Sequence, residues 1–194
     1  MFLPEKSHQR NPTLLDAARS LLVVIDVQEN FRKAMDDFDA LAERIALLAK
    51  AAARIGVPIL VTEQYRKGLG PTSGSILASV PQGTPVIEKL AFSACDVPEW
   101  TAAARASGRN QYVLCGVETH VCVLQTALDL AQDPGASVYV VEDAVASRSP
   151  SDRAAALRRL EAHGVQIVTR EMVVLEWLRK AGTPEFKELL GWIK

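Results

Sequence analysis

The sequence predicts an α/β fold: one domain of three layers, α/β/α, around a six-stranded, mainly parallel sheet. Two observations carry this. Six short segments rich in apolar and β-branched residues alternate with helix-patterned segments along the 194 residues, the order expected of repeated strand–helix–strand units. The strand segments are also continuous apolar runs rather than alternating ones, which implies burial on both faces, as in a parallel sheet covered by helices. In such folds the site lies beyond the carboxyl ends of the strands. Asp26, Lys89 and the turn from Gly116 to Cys122 stand at that end of three different strands.

Taken in order, residues 1–13 are polar, contain two prolines and read as an N-terminal arm; residues 14–194 form the domain. LLVVIDV, from Leu21, is the first strand and closes on Asp26. An acid in such a position is costly unless paired or functional. A helix follows from Asp37 to Ile55, with Phe38, Leu41, Ile45, Leu48, Ala52 and Ile55 on one stripe, Gly56 as its C-terminal stop and Pro58 barring continuation. Pro58–Thr62 is the second strand. The Gly- and Ser-rich stretch EQYRKGLGPTSGS reads as a loop. Thr84–Lys89 is the third strand, and a helix runs from Pro98 to Ser107. Gln111–Cys115 is the fourth strand and Ala136–Asp143 the fifth. Ser149 and Pro150 are suited to the N-cap and first position of a helix that ends at His163. Val165–Thr169 is the sixth strand, followed by a helix through Lys180 and a short one over Thr183–Trp192.

Composition narrows the function classes. Apolar residues make up 48% and charged residues 23%, the globular balance, and the formal net charge is −1. This gives no cationic surplus for nucleic acid or an acidic membrane surface. The three cysteines are too few and too irregular for a disulfide framework. MFLPEKSHQR lacks the apolar core of a signal peptide, and no run reaches the roughly 20 apolar residues of a membrane span. The expectation is a cytoplasmic protein. No glycine-rich phosphate-binding pattern follows any strand, which weakens a nucleotide-binding reading.

Chemistry concentrates in YVLCGVETHVCVLQTALDL, residues 112–130. It reads as a strand, a tight glycine turn and a helix. With Thr119 as N-cap, Cys122 becomes the third helical residue, where unpaired N–H groups and the helix dipole favour thiolate. An aspartate, a lysine and a cysteine converging on one cleft make a nucleophilic set: the acid accepts the thiol proton and the ammonium favours the thiolate. Glu88 should face away from Lys89, because strand neighbours alternate. His120 lies two residues from Cys122 and so should not face it. His8 and His163 read as surface residues, Cys115 as an inert core thiol and Cys95 as a second, exposed thiol. Phe31, Gln64, Tyr65 and Phe92 each follow a strand end and are candidate pocket walls; ordinary packing accounts for them equally well. A small-molecule-binding or interaction protein that lacks turnover remains an alternative to an enzyme.

LLVVIDVQENF around Asp26, VIEKLAFSA around Lys89, CGVETHVCVLQTALDL around Cys122 and DAVASR after the fifth strand together resemble the isochorismatase-like cysteine hydrolases, over roughly residues 14–180. The resemblance implies a Rossmann-like topology and an Asp26–Lys89–Cys122 triad. It implies a non-proline cis peptide at Val117–Glu118, and the backbone N–H groups of Glu118 and Cys122 as an oxyanion hole. It also implies dimers or larger homo-oligomers and a small-molecule amide, ester or related substrate cleaved through a thioester. Nicotinamidases of the family carry metal-binding histidines near the first two strands. Neither 26–35 nor 58–70 contains one here, so no metal and no cofactor are expected, nor nicotinamide as substrate. The loop TEQYRKGLGPT is similar to the isochorismatase-domain-containing branch.

Overall fold

A computed structural model describes residues 10–193. Six strands, β1 (Ser20–Ile25), β2 (Ile59–Gln64), β3 (Val86–Lys89), β4 (Gln111–Val117), β5 (Ser137–Ala146) and β6 (Gln166–Val168), form one sheet in the order β3-β2-β1-β4-β5-β6. Every neighbouring pair is parallel. The strand order reverses direction between β1 and β4, the switch point at which open α/β sheets leave a crevice. His8 lies outside the described residues.

Alternation along each strand splits the apolar core in two. Leu22, Val24, Val61, Val113 and Val141 point to one face, where they meet α1 (Phe38–Ile55) and α7 (Arg170–Leu178), with α8 (Pro184–Ile193) beyond. Leu21, Val23, Ile25, Leu60, Leu114 and Val140 point to the other, under α4 (Pro98–Ala106), α5 (Leu124–Leu130) and α6 (Pro150–Ala162). Cys115 belongs to the first face and Cys122 to the second. The α1 stripe is buried from Phe38 to Ala52, and Gly56 ends the helix in the left-handed conformation (φ 84°), its N–H reaching Ala52 and Ala53.

The sequence expectations are adjusted at three places. The stretch after β2 is not plain loop: two single-turn helices, α2 (Arg66–Leu69) and α3 (Gly74–Leu77), form within it. Glu63 holds them, since its buried carboxylate accepts from the Thr72 N–H and hydroxyl and pairs with Arg66. The fifth strand extends to Ala146, beyond Asp143, because its register on β4 slips between Leu114 and Gly116; DAVA is therefore strand. Ser149 sits at the α6 N-cap position, but its hydroxyl bonds Ser151 rather than a backbone N–H.

One glycine is required by contact. Gly116 has φ 123°, and a Cβ there would stand 2.0 Å from the Ile25 carbonyl oxygen. A side chain would force β4 from β1 at the point where both strands deliver site residues. Gly116→Ala is expected to lower unfolding free energy by at least about 3 kcal/mol in urea denaturation, the range of strained or overpacked core changes. A loss under 1 kcal/mol would show that the strands can part at no cost.

Candidate active site

Asp26 closes β1 in the left-handed region, φ 54°. Asp is among the few residues that tolerate it. Its N–H donates to the Thr62 carbonyl (3.1 Å), and the Gln28 N–H donates to its carbonyl (2.8 Å). The side chain is thereby turned inward, with 1% exposure. Thr62 Oγ1 donates to Asp26 Oδ1 (2.7 Å), and Lys89 Nζ stands 2.8 Å from Oδ2.

Lys89 ends β3 with its side chain fully buried. Its ammonium directs hydrogen bonds to Gln64 Oε1 (2.7 Å) and to the carbonyls of Phe92 (3.0 Å) and Ala91 (3.2 Å). These use the three protons an ammonium has. The contact with Asp26 Oδ2 is therefore a close ionic one without a directed hydrogen bond, and Oδ2 has no hydrogen-bond donor among the described residues. A lone pair on a buried carboxylate is left open to a proton.

Cys122 comes from the far side of the switch point. β4 ends at Val117, the Val117–Glu118 peptide is cis, and the chain enters a π-helical turn over Thr119–Val123 that continues as α5. Glu118, not Thr119, occupies the N-cap position, so Cys122 is the fourth helical residue. The widened turn has its reason in the bonding: the Glu118 carbonyl accepts from both Val121 (3.1 Å) and Val123 (3.3 Å). Thr119 is fully buried inside the turn. Among the described residues, neither the Glu118 N–H nor the Cys122 N–H donates to a group outside this turn.

Burial works against the thiolate expected at rest. Burial pushes the Cys122 thiol up to about 12; the Asp26 charge adds to that rise, and Lys89 opposes both. Being kept out of water and placed beside a carboxylate both disfavour the charged form of a thiol. Cys95, expected exposed, is half-buried near Thr126, and burial raises it to about 11. Cys115 is buried in β4 and raised further by burial alone.

Above these groups lies a pocket of about 320 Å³ lined by Asp26, Phe31, Gln64, Phe92 and Cys122, together with Asn30, Ala34, Leu69, Glu118, Val121 and Arg148. Tyr65 is not among the lining residues: its ring is half exposed and packs over Gly68, where a Cβ would come within 2.3 Å. Gln64 is fully engaged, its amide donating to the Leu90 carbonyl (2.8 Å) and its oxygen accepting from Lys89. Glu88 is exposed on the edge strand. His120 turns to Ser147 (2.9 Å), and His163, exposed, bonds the Arg159 carbonyl.

Sequence reasoning missed Thr62, Gln28 and Arg148. Gln28 is buried and braces the loop, giving hydrogen bonds to the Gln64 and Gly70 carbonyls and accepting one from the Gln64 N–H. A polar residue flanking a buried acid was the available signal. Arg148 closes the DAVASR stretch of the family resemblance, 26 positions beyond Cys122, but only the fold brings it to Glu118. No His, Cys, Asp and Glu side chains among the described residues gather in a group of three or more suited to a metal ion.

Residues 20–172 match the isochorismatase domain family. Isochorismatase domain-containing protein 2A of Mus musculus is 41% identical over 178 residues, covering 90% of this chain and 82% of the mouse protein. Among solved structures, the MAR1 ribonuclease from Caenorhabditis elegans superposes with a TM-score of 0.85 at 37% identity, covering 92% of this chain and 91% of that one. Two YcaC proteins are also similar. The one from Pseudomonas aeruginosa has a TM-score of 0.86 and 27% identity, with 95% and 94% covered, and its structure is described with hexane-2,5-diol and covalent acrylamide. The one from Escherichia coli has 0.83 and 25%, with 95% and 93% covered, and is described as an octameric hydrolase of unknown specificity.

Two outcomes test the site's electrostatics. Thr62→Val removes a buried hydrogen bond to a charged group and should cost about 1.5–3 kcal/mol in urea denaturation. For Cys122, thiolate grows tenfold per pH unit up to the pKa. Its iodoacetamide rate, followed by mass mapping, should therefore keep climbing through pH 9, where an ordinary thiol near 8.5 levels off. A rate that levels off at about pH 8.5 would contradict the assigned balance. The chain belongs to the isochorismatase family and carries that family's hydrolase fold.

Proposed function

We propose that the protein is a cysteine hydrolase that cleaves a small amide, ester or related carbonyl compound without a metal. The observation that carries this reading is a thiol after β4 and a carboxylate with an open lone pair at the end of β1, both lining one pocket, with the buried ammonium from the end of β3 paired to the carboxylate behind it.

Cys122 rests as a protonated thiol. As its sulfur attacks the carbonyl carbon, its proton passes to Asp26, so no free thiolate has to accumulate. The oxygen gains the negative charge and takes hydrogen bonds from the N–H groups of Glu118 and Cys122. Lys89 steadies the buried charge as it moves between carboxylate and sulfur. The tetrahedral adduct collapses, the C–N or C–O bond breaks, and Asp26 returns the proton to the departing amine or alcohol. Water then attacks the thioester, giving its proton to Asp26. The acid leaves and the sulfur recovers a proton.

The covalent acrylamide of the Pseudomonas aeruginosa YcaC structure and the hydrolase description of the Escherichia coli protein agree with an enzyme of this kind. A ribonuclease, the name borne by the Caenorhabditis elegans relative, needs cations for phosphates. This chain's net charge is −1, which favours a small acyl substrate. The alternative, a binding protein without turnover, keeps the pocket and loses the chemistry.

With a panel of p-nitrophenyl esters and simple amides, Cys122→Ser should lower turnover by at least about 10³-fold, and a rapid quench should trap an acyl adduct on wild-type Cys122 by mass. Lys89→Met should lose comparable activity. Turnover unchanged by Cys122→Ser would sink the proposal. We also infer assembly into a homo-oligomer, supported by the octameric relative and by exposed Leu90 (73%). Light scattering that gives the 21.1 kDa monomer mass at micromolar concentration would count against it.

A further inference from the structure

The charges around the pocket come in neutralised pairs. Asp26 faces Lys89. Arg148, whose side chain is 60% exposed, gives hydrogen bonds from its N–H (3.1 Å) and its Nε (2.9 Å) to Glu118 Oε1. That ion pair holds the guanidinium in its charged form, so its charge is present but matched. The groove of about 470 Å³ that continues past Ala34 and Arg148 is not cationic either: Asp36, Asp37, Glu142 and Asp143 oppose Arg44 and Arg153. Arg44 and Arg153 are themselves tied to carbonyls, those of Asp143 (2.8 Å) and Val145 (3.0 Å).

The rest of the wall is apolar. Phe31, Ala34, Leu69, Phe92 and Val121 surround the space above the thiol. Phe92 stays half exposed, although its backbone carbonyl is fixed by Lys89. An aromatic ring held at a pocket mouth with one face in water gains by covering an apolar ligand. The volume lies at the small end of the roughly 300–1,000 Å³ typical of ligand sites.

Resting on the hydrolase reading, we propose that the site takes an uncharged carbonyl substrate with a small apolar acyl group covered by Phe31 and Phe92, and that Glu118, by neutralising Arg148, excludes acyl groups bearing a carboxylate. An anionic acyl group would have to displace Glu118 from Arg148 or lie beside two carboxylates, Glu118 and Asp26. Such a clash discriminates between ligands of the same shape more sharply than added apolar contact does. Glu118 thus has a side-chain role in specificity beside its backbone role.

Binding tests this without turnover. Cys122→Ala, which cannot form an adduct, is titrated by NMR with butyramide and with succinamate, which places a carboxylate where butyramide has a methyl group. Butyramide should bind at least tenfold more tightly. In Cys122→Ala/Glu118→Gln, which keeps acceptor atoms for Arg148 but removes the charge, succinamate affinity should rise at least tenfold and butyramide affinity should move less than threefold. Equal or tighter succinamate binding by Cys122→Ala would overturn the inference. So would the absence of any effect of Glu118→Gln, or failure of both ligands to bind at 50 mM. The hydrolase reading stands or falls separately, on Cys122-dependent turnover. A preference for butyramide with no turnover of any ester or amide would leave the ligand class and remove the enzyme.

Discussion

The contact on which the site depends is the buried pair of Lys89 and Asp26, 2.8 Å apart with side chains 0% and 1% exposed. Removing either partner strands a charge in the interior, a change that costs about 3–5 kcal/mol in proteins. The pair also fixes geometry. The three Lys89 hydrogen bonds tie together the end of β2 through Gln64 and the chain after β3 through Ala91 and Phe92. The pocket wall and the Asp26–Lys89 pair are therefore one bonded unit. Thr62 completes it by holding Oδ1, which leaves Oδ2 as the oxygen that can take a proton.

In the proposed reaction, that arrangement lets a thiol raised by burial act as the nucleophile. A sulfur that ionised in the empty pocket would be exposed to oxidation and stray electrophiles. Here ionisation is opposed by burial and by Asp26; in the proposed mechanism it becomes favourable only as the carbonyl carbon accepts the sulfur's electrons and the oxyanion finds its donors. In the proposed mechanism, the carboxylate that opposes the resting thiolate is the same group that removes the proton during attack. On that proposal one interaction both raises the ground-state thiol pKa and lowers the barrier, which is preorganisation rather than ground-state activation.

Much of the fold was legible because it rests on local rules. Continuous apolar runs gave β1, β2, β4, β5 and β6; the 3.6-residue stripe with Gly56 gave α1; and Pro150 gave the start of α6. Asp26, Lys89 and Cys122 were visible as chemistry-bearing residues at strand ends, where the α/β architecture makes residues converge. The misses share a physical cause: they depend on long-range partners. Arg148 is defined by Glu118, thirty residues earlier. The helical turns of the 66–77 segment exist because Glu63 and Gln28 satisfy backbone groups that composition alone reads as loop. The opposition to ionisation of the thiol was not legible, because the helix terminus is readable in sequence, whereas depth of burial and the approach of Asp26 are not.

Tyr65 shows the same limit from the other side. Its position directly after β2 places it at the mouth of the crevice, as Gln64 and Phe92 are placed. But Tyr65 adopts φ 38°, and the left-handed turn swings its ring over Gly68, whose missing side chain makes the space. Gln64, one residue earlier and still in the strand, points to Lys89 instead. Proximity to a strand end is therefore only half of what makes a pocket wall; the backbone conformation at that residue decides whether the side chain turns toward the switch point or away from it. The same holds for Asp26, whose own left-handed turn, fixed by hydrogen bonds to Thr62 and Gln28, turns a carboxylate that could have capped a strand into the floor of a site.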